Sequence, residues 1–398
     1  MLTGEHSWLQ LQPLEGRLFR ASPAFRLVGY EQLPPVSAAP FRELAADAGQ
    51  YGVLVPHQEP ALGILAVDNN SAALLQRLGQ PATLPADILQ NKAGIAGMVL
   101  DGILEIEEEG RFFSGPAACK ALLAATPNIP EPADVLTTCS HAALQAAQTL
   151  PIDDPKALSR WLYRYHRMPV TPAWAHRLSD QRAIQNHLGL QPGGAVHRLL
   201  DEHFVFHNVP GWLAWHHQQG AFDRSEPLTC KLYISPTPGV LSEVLPKIAR
   251  CFVEMGVPSF KLGQDLFGIL RPDKLVAYFE NYRTLARVAK HLKKILQDCP
   301  SHGVPFTAAL DTDGLLSWGI DPPHSELIPG WRDVESWRLW ITNHLARSLL
   351  RAKSTIADSD DHPAPWDFAL LRLALDGVQV ENWMPTTALW HENGITND

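Results

Sequence analysis

The sequence predicts an α+β protein, and three observations carry that reading. Residues 230–298 run strand, helix, strand, strand, helix, an order that packs helices on a mainly antiparallel sheet. Residues 51–115 show two strands, two helices and a terminal β-ribbon, the layout of a winged-helix-like module. With 398 residues, 45% of them hydrophobic, the chain can bury a large core and form two domains. The expected division is 1–127 for the winged-helix-like domain, 128–157 for a connector and 158–398 for the second domain.

Taken in order, residues 1–45 are Pro-rich and weakly patterned, and no element is assigned there. YGVLVP (51–56) and ALGILAVD (61–68) read as strands joined by the polar turn HQEP. Asn69-Asn70-Ser71 offers an N-cap for a helix over AALLQRLG, which stops at Gly79. A helix over Ala93–Asp101 follows, then ILEIEEEGRFFSG, which alternates and turns at Glu109-Gly110. The connection contains a helix over Ala133–Leu150. LSRWLYRYHRMPVTPAWAHR (158–177) interleaves aromatic and apolar positions with Arg160, Arg164 and Arg167. It reads as an amphipathic helix with solvated arginines, or as a substrate-peptide contact.

In the second domain KLYIS (231–235) has the β-branched and aromatic content of a strand. VLSEVLPKIARCFVEMG lines up Val240, Leu241, Val244, Leu245, Ile248, Phe252 and Val253 on one helical face and ends at Gly256. SFKLG (259–263) and KLVAYF (274–279) are strands, and TLARVAKHLKKIL is a helix with Lys290, Lys293 and Lys294 on its solvated face. SWRLWITNHLARSLLRA reads as a helix, residues 354–365 as an exposed loop, and Trp366–Leu375 as a final helix.

Charge narrows the ligand. The chain has a net charge of −9, yet seven of its eleven lysines lie between Arg224 and Asp298, a window with 12 Lys/Arg against 7 Asp/Glu. A cationic island in an acidic protein suits an anionic ligand such as phosphate, and the acidic EIEEEG ribbon argues against nucleic acid. The five cysteines are scattered without a CxxC pair, which suits a reducing cytoplasm. No apolar run approaches the roughly 20 residues a membrane helix needs, so a soluble cytoplasmic protein is expected.

Within the island, Lys231 and Tyr233 share one face of their strand, and Lys274, Val276 and Tyr278 one face of theirs. Lys261 sits between apolar residues on a third. Were these strands neighbours, Lys231, Lys261, Lys274 and Tyr278 would converge. A buried lysine among other cations loses its proton more readily and can serve as a general base near pH 7. His197, His203, His207, His216 and His217 also crowd one region, and His203 and His207 have i,i+4 spacing. EHFVFHNVPGW looks like strand rather than helix and lacks an HExxH pattern, so no metal is expected.

CKLYISPTPGVLSEVLPKIARCFVEMGVPSFK, with its Lys-x-Tyr-x-Ser strand, helix and Pro-Ser-Phe-Lys strand, is similar to the lyase domains of class III and IV lanthipeptide synthetases. These are related to phosphothreonine lyase effectors, and the Tyr233 variant looks closest to the effector-like lyases of class V lanthipeptide and thioamitide pathways. The resemblance implies a phosphothreonine-lyase-like domain that removes phosphate from phosphoserine or phosphothreonine by β-elimination. It maps the general base onto Lys261, the polarising lysine onto Lys231 and the proton donor onto Tyr233, where the family has histidine; His203 and His217 are alternative acids. It maps the phosphate pocket onto Arg271, Lys274 and Tyr278. The family's late arginine is missing from GLLSWGIDPP (314–323), so Arg338, Arg347 or Arg351 is the expected substitute. No organic cofactor is implied. AVDNNSAALLQRLGQPATLPADI and MVLDGILEI loosely resemble PqqD-like recognition elements, which implies leader-peptide binding; a structural cap on the catalytic domain is the plain alternative. No kinase or Walker motif occurs, so the phosphorylated precursor peptide needs a separate kinase. The rival reading is a non-catalytic phosphopeptide-binding scaffold serving a kinase or cyclase, and a third is an effector acting on host proteins.

Overall fold

The computed structural model describes residues 8–57, 64–125, 128–218, 230–322, 336–355, 362–386 and 389. Most of the HQEP turn, the first three residues of ALGILAVD and half of the 354–365 loop (356–361) lie outside these. Among the described residues every strand pairing is antiparallel, and helices pack on the sheets, so the α+β class holds.

The N-terminal part holds two small sheets. Strands β1 (Leu18–Ala21) and β2 (Phe25–Gly29) fall in the stretch that the sequence left without elements, because four or five residues bounded by loops show too little alternation. β2 pairs with β3 (Gln50–Pro56), which pairs with β4 (Leu65–Asp68). β1 lies between β5 (Ala82–Thr83) and β6 (Leu104–Glu108), and β6 turns back into β7 (Arg111–Phe113). The β6–β7 turn is tight: Glu109 and Gly110 have φ of 52° and 80°, both left-handed, which matches the twist of a two-residue hairpin. The helix Asn69–Arg77 is capped by Asp68, one residue before the expected Asn69-Asn70-Ser71, with its carboxylate accepting from Ser71 N at 2.7 Å. Asn91 caps Lys92–Leu100 in the same way.

The large sheet is built from β8 (Phe204–Val209), β9 (Trp212–His217), β10 (Cys230–Ile234), β11 (Ser259–Gly263), β12 (Leu275–Phe279), β13 (Ala308–Ala309) and β14 (Leu316–Gly319), in the order β13-β14-β10-β12-β11-β9-β8. Leu232, Ile234, Phe260, Leu262, Ala277 and Phe279 lie on one face and are buried in the main core with the helices Leu241–Met255 and Tyr282–Ile295. Gly256 closes the first of these helices in the left-handed region, φ 63°, as its position predicts. The opposite face carries the lysines and tyrosines. Near it lie the helix Pro155–Arg164, the loop 301–306 and the helix Trp337–Thr355. Among the described residues no helix is long and apolar enough to cross a membrane.

Candidate active site

Antiparallel register places directly opposed residues on one face, so the pairings fix the site. Lys231 faces Tyr278, Tyr278 faces Ser259, and Ser259 faces His216. The next row is Tyr233, Val276, Lys261 and Ala214. Together with Trp212, Tyr163, Asp273 and Asp321 these residues line a cleft of about 460 Å³.

Lys261 is its central group. Nζ stands 4.2 Å from the centre of the Trp212 ring and 5.4 Å from that of Tyr278, and it makes no hydrogen bond or ion pair among the described residues. Burial, followed by the nearby charge of Lys231, brings its pKa down to about 8. Lys231 is buried and pairs with Asp321, while its Nζ lies 5.9 Å from the Tyr278 ring centre. Tyr233 is 3% exposed, and its hydroxyl has no hydrogen-bond partner among the described residues. Burial raises its pKa well above the usual phenol value, so it stays a neutral O–H donor.

Behind the cleft Asp273 gathers two guanidiniums. Its carboxylate accepts from Arg271 Nε at 2.6 Å and Nη2 at 2.7 Å, accepts from the Tyr163 hydroxyl at 3.0 Å, and lies 2.8 Å from Arg338 Nη1. Burial would raise the Asp273 carboxyl, but Arg271 and Arg338 outweigh it and hold it far below the usual carboxylate range. Ser235 at the end of β10 donates to Pro272 O at 2.6 Å, tying this loop to the strand that carries Lys231 and Tyr233.

The expected site residues divide accordingly. Lys231, Tyr233, Lys261 and Tyr278 come together on one face. Arg271 stands beside it, 4.8 Å from the Trp212 ring centre, with its guanidinium engaged by Asp273. Lys274 shares the face but does not reach the cleft. It is fully buried, and its Nζ donates to Pro236 O at 2.9 Å and to His302 Nδ1 at 3.1 Å. His302 donates from Nε2 to His166 O at 2.6 Å, which leaves Nδ1 as the acceptor. Burial lowers the pKa of Lys274 to about 7. Arg347 and Arg351 point elsewhere, into a second cavity with Asp101, Phe368 and Arg372. The same helix instead sends Arg338 toward Asp273. A single helix presents residues 338 and 347–351 to regions more than two turns apart, so one choice excludes the other.

One expectation about histidine holds and one changes. His203 precedes β8 and His207 lies on it, so the strand reading of EHFVFHNVPGW stands and the i,i+4 spacing does not place the pair on a helix face. His217 packs on Phe204, ring centres 5.1 Å apart, on the far side of β9 from the cleft. The histidine that lines the cleft is His216, which sequence reasoning missed; the alternation of WLAWHH in register with SFKLG is the signal that finds it.

Comparison with known proteins finds no matching family model and no matching curated sequence. Among solved structures, an effector protein from Pseudomonas syringae pv. syringae strain 61 is 13% identical, with a TM-score of 0.41 over 64% of this chain and 99% of that one. An effector from Pseudomonas syringae pv. tomato strain DC3000 is 12% identical, with a TM-score of 0.39 over 63% and 97%. The Chromobacterium violaceum VirA (SpvC) phosphothreonine lyase effector is 13% identical, with a TM-score of 0.22 over 46% and 84%. Likeness at this level leaves the chemistry to the residues of the cleft.

Proposed function

We propose that the chain is a lyase that removes phosphate by β-elimination from phosphoserine or phosphothreonine in a ribosomally made precursor peptide. The observation that carries this reading is Lys261, a buried amine with a pKa of about 8 and no hydrogen bond among the described residues, on the same sheet face as Lys231 and Tyr233. In the first step the neutral amine of Lys261 takes the substrate's α-proton. The electron pair left on Cα forms the Cα=Cβ bond, and the Cβ–O bond breaks with its pair leaving on phosphate. Lys231 steadies the negative charge that develops on the substrate carbonyl, and the Tyr233 hydroxyl supplies a proton to the departing phosphate. The products are a dehydroamino acid and inorganic phosphate, with the abstracted proton held on Lys261. Tyr278 and Arg271 border the phosphate position.

A separate kinase would install the phosphate. Residues 1–127 would hold a leader peptide and 158–398 would carry the chemistry, joined through 128–157. A second reading, a non-catalytic phosphopeptide-binding partner of a kinase or cyclase, draws on the pairing of Lys231 and Arg271 with Asp321 and Asp273, which leaves less free positive charge for an oxyanion.

The test is incubation with phosphothreonine and phosphoserine peptides, followed by mass and released phosphate. Loss of the elements of phosphoric acid with wild type and none with Lys261→Ala is the expected result. Saturable binding with unchanged mass would establish the scaffold reading instead.

A further inference from the structure

β8 is the outer strand of the large sheet, and among the described residues nothing pairs with its free edge. Five of its six residues, Val205 to Val209, are exposed, and Val205, Phe206 and Val209 are exposed apolar side chains at 48%, 47% and 44%. The strand FVFHNV carries no lysine, glutamate or proline, and it pairs with β9 without a bulge through all six positions. Edges that must stay unpaired are normally blunted by one of these devices. This one is built to accept a strand.

Register says which strand. Val205 opposes His216, His207 opposes Ala214 and Val209 opposes Trp212, three residues that line the cleft. The rings of His207 and His216 meet at 5.0 Å. The sheet face that floors the cleft therefore continues from Lys261 through β9 to Val205, His207 and Val209 at the edge of the sheet. We infer that β8 binds an extended segment of the polypeptide substrate as an added antiparallel or parallel strand, with the reactive residue reaching Lys261 over His216 and His207. This rests on the lyase reading of the cleft.

Geometry sets the spacing. An added strand lies three strand positions from β11, roughly 14 Å at the usual spacing, and crossing that distance takes about five extended residues. The docked segment is therefore separate in sequence from the reacting phosphoresidue. Main-chain pairing gives affinity with little sequence demand, while Val205 and Val209 on one face and Phe206 on the other favour alternating β-branched or aromatic side chains. Such a device lets one enzyme act at successive sites of a peptide held by a constant segment.

The experiment compares a short phosphothreonine peptide with the same peptide extended by ten residues of alternating valine and threonine. The extension is expected to lower KM about tenfold with kcat unchanged, and Val205→Lys/Phe206→Glu is expected to erase that gain while leaving kcat/KM on the short peptide intact. N-methylation of single amides along the extension is expected to weaken binding at every second position, the signature of strand pairing. Losses without that period, or retention of the gain in the variant, would overturn the inference. So would a wild-type dimer that the variant dissociates with no change in KM, which would assign the edge to a second copy. If neither peptide is dehydrated, the lyase reading fails separately. The dye-labelled extension, titrated by fluorescence anisotropy against wild type and variant, still decides the edge: binding lost in the variant supports it, and no binding overturns it.

Discussion

A lysine can act as a base only after it loses its proton, and Lys261 reaches that point near pH 8 because burial and Lys231 both disfavour its ammonium. Elimination should therefore rise about tenfold per pH unit below 8 and level off above it, measured as kcat/KM on a phosphothreonine peptide. Lys261→Arg should be as inactive as Lys261→Ala, since a guanidinium keeps its proton throughout. Tyr233 offers a cleaner separation of chemistry from folding. Its buried hydroxyl lacks a hydrogen-bond partner among the described residues, so Tyr233→Phe removes a desolvated polar group and should raise stability by up to about 1 kcal/mol. Loss of the proton donor should at the same time slow elimination by roughly 10²-fold or more. Unchanged turnover in urea-matched protein would move the acid role to His216. At this scale Lys231, Tyr233, Lys261 and Tyr278 were legible, because period-two alternation tells which side chains share a face before the pairing is known. His216 was hidden by its neighbours: five histidines lie in one region of the sequence, and only the β9–β11 register shows which of them faces the cleft.

Elements enter through the loop between β11 and β12. Asp273 there joins Arg271, two residues before it, to Tyr163 of the helix Pro155–Arg164 and Arg338 of the helix Trp337–Thr355. Its substitution by alanine would leave two guanidiniums, one of them fully buried, without their counter-charge, at a cost of about 3–5 kcal/mol. The carboxyl is held far below its unfolded pKa. Its contribution is present above the unfolded value of about 3.9 and disappears only as pH falls through the much lower folded one. The stability gap between wild type and Asp273→Ala in urea titrations should therefore be as large at pH 5 as at pH 7. Convergence of this kind cannot be read from sequence, since Tyr163, Asp273 and Arg338 are more than sixty residues apart and no periodicity links them. The helices themselves could be read from their apolar stripes, as with the one that lines up Leu241, Val244, Leu245, Ile248 and Phe252 and ends at Gly256. Short strands such as β1 carry too few residues for a pattern, and their place is set by the partners they find.

At the scale of the whole molecule the N-terminal sheets and the large sheet are not independent. Most of their buried side chains fall in two large clusters, and the larger N-terminal one includes Ala352, Phe368 and Leu371 from the last two helices. Those helices also place Leu345, Leu349, Leu370 and Leu373 in the main core. Arg372 fixes the joint with two bonds to Asp101, 2.8 and 2.6 Å, and one to Asp376 at 2.5 Å. Removing residues 1–127 would uncover Phe368 and Leu371, at about 1.5–3 kcal/mol each, and strip Arg372 of one of its two carboxylates. Marginally stable folds rarely absorb such a loss. The full chain should accordingly unfold in one transition by both tryptophan fluorescence and circular dichroism. A chain beginning at residue 128 should aggregate or fail to eliminate phosphate even from a short peptide that needs no leader. A folded, active 128–398 fragment would show instead that the last two helices belong to the large sheet alone and that the N-terminal part is a detachable binding module.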